Sequence, residues 1–214
     1  MKENERPDGV ITEVRVPDEE QFREIYRRYI GADFPPEERM TEEQCVRLLK
    51  EGILLCHCFY RGEQLLGYAV SVPEKKSGCL FIEYLAVTKE QRGKGIGSEM
   101  LRFFFSCAKE YRFILLEAED ERKALTEEER AGRERRLRFY AAAGAVYTGV
   151  SAVTYGVSYR LLAFECSGSI PDESIPGIYR CLYRKKLGRL AVALHIRVKR
   201  EKQPIRAVGN AENT

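Results

Sequence analysis

No apolar stretch in this chain of 214 residues reaches the length of a membrane-spanning helix, and no signal peptide opens it, so no membrane is expected and a cytoplasmic setting is. Charge of one dominant sign is also lacking. The 36 lysines and arginines nearly balance 33 aspartates and glutamates, leaving +3 without the one-sided basic face that nucleic acid requires. No linker rich in proline, glycine and serine divides the chain, which is long enough for one buried core. One domain over residues 1–166 is expected, with a helix–strand extension over 167–203 and a disordered tail over 204–214. Histidine is scarce. His57 and His195 read as strand residues with local hydrogen bonds rather than as bases. The seven cysteines have no metal-type spacing; Cys56 and Cys58, on either side of His57, suit two buried thiols on one strand face, and no metal is expected.

What is present is a clear alternation of periods. Residues 11–16 alternate as a short strand, and Pro17-Asp18 opens a helix with Phe22, Ile25, Tyr26 and Tyr29 at helical spacing. Residues 34–39 break it, and Thr41 with Gln44 matches a capping box for a second helix reaching about Lys50. Three strand-like runs follow, 53–60, 64–72 and 79–87, joined by links short enough for antiparallel hairpins. A helix over 98–110 then crosses to an apolar run, 113–118, which is expected to pair in parallel with 79–87. The charged stretch 119–138 reads as a solvated loop entering a helix that stops at Gly144. A hairpin over Tyr155-Gly156, a basic amphipathic helix over 178–187 and an alternating strand through Val192, Leu194, Ile196 and Val198 complete the pattern. The class implied is α+β, a mixed antiparallel and parallel sheet flanked by helices.

Between the run 79–87 and the helix after it lies Gln91-Arg92-Gly93-Lys94-Gly95-Ile96-Gly97. Glycines allow close backbone approach, N–H groups at a helix N-terminus favour an anion, and Arg92 and Lys94 add positive charge where a pyrophosphate would sit. A P-loop fails here, because Thr88 stands where its first glycine should be and Gly95 follows Gly93-Lys94. A dinucleotide fingerprint fits poorly: residues 88–92 separate it from the strand, Ser98 replaces the third glycine, and a meander precedes it where a crossover helix is needed. An ordinary glycine-rich turn remains as the plain reading.

With strand before and helix after, Arg92-x-x-Gly95-x-Gly97 resembles the Arg/Gln-x-x-Gly-x-Gly/Ala signature of the GNAT acetyltransferases. The element order over residues 11–165 is similar to the GNAT fold. Phe139-Tyr140-Ala141-Ala142-Ala143-Gly144-Ala145 resembles the family's Tyr-x-x-x-Gly-Phe segment, with Ala145 in place of phenylalanine and Arg133 where an asparagine is often found. Leu116-Glu117-Ala118 resembles its Leu-Glu-Val segment, and a longer interval to Tyr140 reads as an insertion over 119–130. The resemblance implies acetyl-CoA as co-substrate, its pantetheine arm along Leu85, Ala86 and Val87 and its pyrophosphate on Arg92, Gly93, Lys94, Gly95, Ile96, Gly97 and Ser98. It further implies an amine acceptor, small molecule or protein, direct attack without a covalent enzyme intermediate, and no metal; it allows a homodimer. Cys107, on the helix after the loop, reads as packed rather than nucleophilic.

Within that chemistry Tyr140 is implied as proton donor to the departing thiolate. The proton acceptor stays open between Glu117 and Glu83, each a carboxylate inside an apolar strand, where an acid without partner or purpose is costly. By alternation Glu83 shares a face with Leu85 and Val87. Either carboxylate could instead pair with a base such as Arg138. Asp33, Phe34, Glu37 and Glu38 lie in the helix break that lines the acceptor groove in the resembled fold, and the insertion should flank it; the acids there either hold a cationic amine or form a solvated turn. The competing class is a non-catalytic acyl-CoA-binding or protein-interaction module with residues 183–186 as its surface.

Overall fold

The computed structural model describes residues 10–106 and 108–201, so Cys107 and the expected tail lie outside the described residues. Eight strands form one sheet: β1 Glu13–Arg15, β2 Leu55–Arg61, β3 Gln64–Glu74, β4 Cys79–Val87, β5 Phe113–Glu119, β6 Val146–Thr154, β7 Val157–Glu165 and β8 Ile196–Arg200. Their spatial order is β1-β2-β3-β4-β5-β7-β6-β8. Short links make β2, β3 and β4 antiparallel neighbours, β1 pairs antiparallel with β2 across the intervening helices, and among the described strands only β4 and β5, joined through a helix, run parallel.

The helices are α1 Glu19–Ile25, a π turn Tyr26–Ile30 with a short α2 Gly31–Asp33, α3 Glu42–Lys50, α4 Ile96–Ser106, α5 Glu127–Ala142 and α6 Ile175–His195. Asp18 and Thr41 start α1 and α3 with reciprocal bonds to Gln21 and Gln44, as capping boxes do. Apolar spacing decides which face each helix covers. Phe22 and Ile25 of α1, Cys45 and Leu48 of α3, and Tyr179 and Leu182 of α6 pack on one face with Phe81 and Leu115. Ile96, Met100 and Phe104 of α4 and Leu137 and Tyr140 of α5 pack on the other with Leu80, Ile82 and Leu116. Burying each large side chain such as Phe22 or Phe104 contributes about 2 kcal/mol.

The C-terminal expectations need correction. Val192 and Leu194 are helical, not strand: α6 is interrupted at Gly188 (φ +82°), resumes, and yields to β8 only at Ile196. The run 190–194 fits either period, and the choice went to the helix because Val192 can then enter the core while Leu190 and Leu194 stay outside. The amphipathic helix expected over 178–187 is present within α6, with Tyr179, Leu182, Tyr183 and Lys186 as its buried side. The interaction surface expected over 183–186 therefore loses Tyr183 and Lys186 to the interior.

Candidate active site

A break in the sheet creates the site. β4 and β5 pair from Cys79↔Phe113 to Ile82↔Leu116 and then part. Thr88 donates its N–H to the Leu66 carbonyl at 2.9 Å, so Gly67↔Val87 and Ala69↔Leu85 are the pairs of the β3–β4 ladder that exchange no hydrogen bonds. The N–H and C=O groups of Leu85 and Val87 consequently point away from β3, into the gap. The gap opens into a cleft of about 830 Å³ that passes from one face of the sheet to the other.

A β-bulge at the gap overturns the alternation expected of Glu83. Val70 pairs with Tyr84 and Ser71 with Ile82, leaving Glu83 without a partner in the ladder. Beyond the bulge, Tyr84 and Ala86 pack on the α6 face, and Leu85 and Val87 on the α5 face. Glu83 turns toward α6, opposite to Leu85 and Val87, and forms an ion pair with Lys186 rather than with Arg138, whose carboxylate partner is Glu134. Both members of the pair are sequestered, with side chains 8% and 1% exposed.

Glu117 also faces α6. Tyr183 donates its hydroxyl to both carboxylate oxygens, at 3.0 and 2.9 Å, and Tyr179 donates to Oε1 while its own hydroxyl lies 2.8 Å from Thr154 Oγ1. Desolvation, followed by the charge of Glu83, pushes the Glu117 carboxyl up to about 7 against the opposing effects of Lys186 and the two phenols. On the other face, Tyr140 lines the same cleft from α5. Its hydroxyl has no hydrogen-bond partner among the described residues, and burial holds its titration above the ordinary range, so the proton stays on oxygen at neutral pH.

The loop after β4 divides its glycines between two tasks. Gly93 and Gly95 have φ of +78° and +79°, a conformation costly to residues with a Cβ, and nothing lies within 4 Å of where that Cβ would be. Gly97 instead makes room for α5, because a Cβ there would sit 3.1 Å from the Phe139 ring. Arg92 is held by Asp33 at 2.7 Å and by the Val87 carbonyl, and Lys94 bonds the Glu90 carbonyl and Gln91 within its own loop. The open space over Gly93 and Gly95, the α4 N-terminus beginning at Ile96 and Ser98, and the two nearby cations suit a pyrophosphate, while the gap beside Leu85 and Val87 suits an amide-bearing arm.

Other expected residues are placed as follows. Asp33 and Phe34 line the cleft, but Asp33 accepts from Tyr68 at 2.9 Å as well as from Arg92, so its charge is already engaged. Glu38 lines the cleft, and Glu37 belongs to the turn Pro36–Glu38. Of the insertion, Glu119 reaches the cleft, gripped by Arg133 and Arg136; Arg133 also bonds the Asp120 carbonyl. His57 packs on Phe103 and Phe104, and His195 stacks on Tyr155. Cys56 and Cys58 are buried together, their sulfurs 3.9 Å apart. Sequence reasoning missed Tyr179, Tyr183 and Lys186 as site residues, although their spacing of four and then three positions was a signal for one helix face.

Among the described residues no helix is long and apolar enough to cross a membrane. The family model of the Acetyltransferase (GNAT) family matches residues 19–141. A search of curated proteins gave no match. Among solved structures, a GNAT-family protein from Bacteroides thetaiotaomicron is similar with a TM-score of 0.66 at 19% identity, over 83% of this chain and 99% of that one. An aminoglycoside 6'-N-acetyltransferase complexed with coenzyme A gives 0.53 at 15% identity over 72% and 97%. The ribosomal-protein-S18-alanine N-acetyltransferase from Escherichia coli gives 0.52 at 13% identity over 74% and 96%. With the mixed sheet, its parted strands and the glycine loop already in view, the match over more than half of the sequence means that this chain belongs to the GNAT family of acetyltransferases.

Proposed function

We propose that the protein transfers an acetyl group from acetyl-CoA to a primary amine by direct attack, with Glu117 as proton acceptor and Tyr140 as proton donor. The observation that carries this reading is that Glu117 and Tyr140 line one cleft from opposite faces of the sheet, on either side of the gap between β4 and β5. Acetyl-CoA would supply the thioester, held through residues 92–98 with its carbonyl near the Val87 N–H, whose polarising bond would be worth roughly 3 kcal/mol in the transition state.

An amine reaching the α6 side arrives mostly as ammonium and gives one proton to Glu117. Its lone pair then forms the C–N bond as the C–S bond breaks, and the departing sulfur takes the proton of Tyr140. The second proton on nitrogen leaves to solvent, which also takes the proton held by Glu117 and restores that of the tyrosine. Glu83 is the weaker candidate for base because Lys186 already occupies its carboxylate. Thiol release from acetyl-CoA, measured over a panel of small amines, amino acids and peptide N-termini, tests the reading; acetyl-CoA binding without release for any acceptor would sink it.

A further inference from the structure

The acceptor side of the cleft has a charge pattern that narrows the substrate class, an inference that rests on the transferase reading above. Five carboxylates line the cleft: Asp33, Glu38, Glu83, Glu117 and Glu119. Three of them are held by cations of the chain itself, Asp33 by Arg92, Glu119 by Arg133 and Arg136, and Glu83 by Lys186. Glu117 differs in kind, for its partners are the neutral hydroxyls of Tyr179 and Tyr183. Glu38 lines the cleft from the turn Pro36–Glu38, with Arg39 beside it in the chain and also lining the cleft.

Beside these charged groups the cleft is lined by apolar and aromatic side chains. Phe34 leans on Tyr84 with ring centroids 4.8 Å apart, and Pro35, Leu187 and Tyr155 continue the surface. One ammonium can be met by the carboxylate of Glu117, while a hydrocarbon body is covered by these side chains. A second ammonium on the same molecule would lose water and find Asp33, Glu83 and Glu119 each already engaged by a cation of the chain, and it would meet Lys186 and Arg136.

We infer that the acceptor is a monoamine, one primary ammonium on an apolar or aromatic body, and that Lys186 is the specificity-determining residue that turns polycations away by occupying Glu83 from within. Lys186 lies on α6, beyond the segment matched by the family model, and is held over the Tyr183 ring at 3.5 Å, so the selectivity belongs to this chain's C-terminal extension. Such exclusion by an internal like charge is how a site rejects a competitor that it could otherwise bind.

The full-length protein would be assayed by thiol release with 2-phenylethylamine and hexylamine against spermidine. The expected result is a kcat/KM for the monoamines at least about tenfold above that for spermidine. In Lys186→Met the freed Glu83 should accept the second ammonium, and this preference should shrink by about tenfold. In the double variant Glu83→Gln/Lys186→Met neither charge remains, and the preference should return, a pattern that a purely structural lysine would not produce. Spermidine used as well as the monoamines by the wild type overturns the inference alone, and so does an unaltered preference in Lys186→Met. Absence of thiol release with every amine, while acetyl-CoA still binds, overturns the transferase reading and the inference with it. Should Lys186→Met fail to fold, the wild-type comparison still decides the substrate class, and the neutral Lys186→Gln, for which the same shrinkage is expected, decides the role of the lysine; an unaltered preference there overturns it.

Discussion

Replacing Glu117 with glutamine keeps the shape of the side chain and its ability to accept a bond from Tyr179 or Tyr183, but removes its titration. In the unfolded chain this carboxyl titrates near 4.5; in the fold, desolvation first and the charge of Glu83 second raise it to about 7. Between those values the folded protein holds the proton more tightly than the unfolded chain. The stability contributed by this group is therefore fully present below the unfolded value and is lost as pH rises through about 7. A rise of this size amounts to about 3 kcal/mol, at about 1.4 kcal/mol per unit. Urea unfolding of the wild type and Glu117→Gln, followed from about pH 4 to about pH 8.5, should show the wild type losing that amount relative to the variant, since every other titration is common to both. The same group should set the acidic limb of the wild-type kcat/KM profile near the raised value, and Glu117→Gln should flatten that limb and lower turnover about 100-fold. A stability difference that stays constant across the pH range, together with a wild-type acidic limb in the variant, would refute the placement of the titrating proton on Glu117.

Tyr140→Phe should lower kcat by about tenfold to 100-fold while acetyl-CoA affinity measured by calorimetry stays unchanged, because a proton donor to sulfur acts in the transition state. Full activity would return Tyr140 to a packing role. Gly95→Val should weaken acetyl-CoA binding more than about tenfold, since φ of +79° strains a β-branched residue even though no atom obstructs its Cβ; calorimetric affinity equal to wild type in a folded variant would remove the loop from the site. Asp33→Asn should raise the KM for acetyl-CoA more than the KM for the amine, because Asp33 holds Arg92 beside the loop; the opposite order would restore Asp33 to the acceptor site.

Local rules account for much of this molecule. The capping pairs Asp18–Gln21 and Thr41–Gln44, the hairpin turns, and the stop at Gly144 (φ +96°) depend on neighbours a few residues apart, so their signals survive in the bare sequence. The glycine loop was legible for the same reason, and so was the parallel pairing of β4 with β5, because a helical crossover leaves little choice. Alternation placed Glu117 inside a strand, but its partners were beyond reach of such rules: Tyr179 and Tyr183 stand 62 and 66 positions away. Glu83 marks the boundary most sharply. A strand period assigns it to the face of Leu85 and Val87, whereas one extra residue in the β3–β4 ladder reverses that face and delivers the carboxylate to Lys186, 103 positions later. A bulge costs a ladder bond and leaves no local mark in composition; it persists because the packing on both faces of the sheet agrees with it. Residue types and short-range spacing thus set the elements, their order and the glycine loop. The division between a carboxylate that can take a proton and one already occupied arose only when α6 folded back across the gap, since a charge's environment is made by neighbours that the chain brings together from far apart.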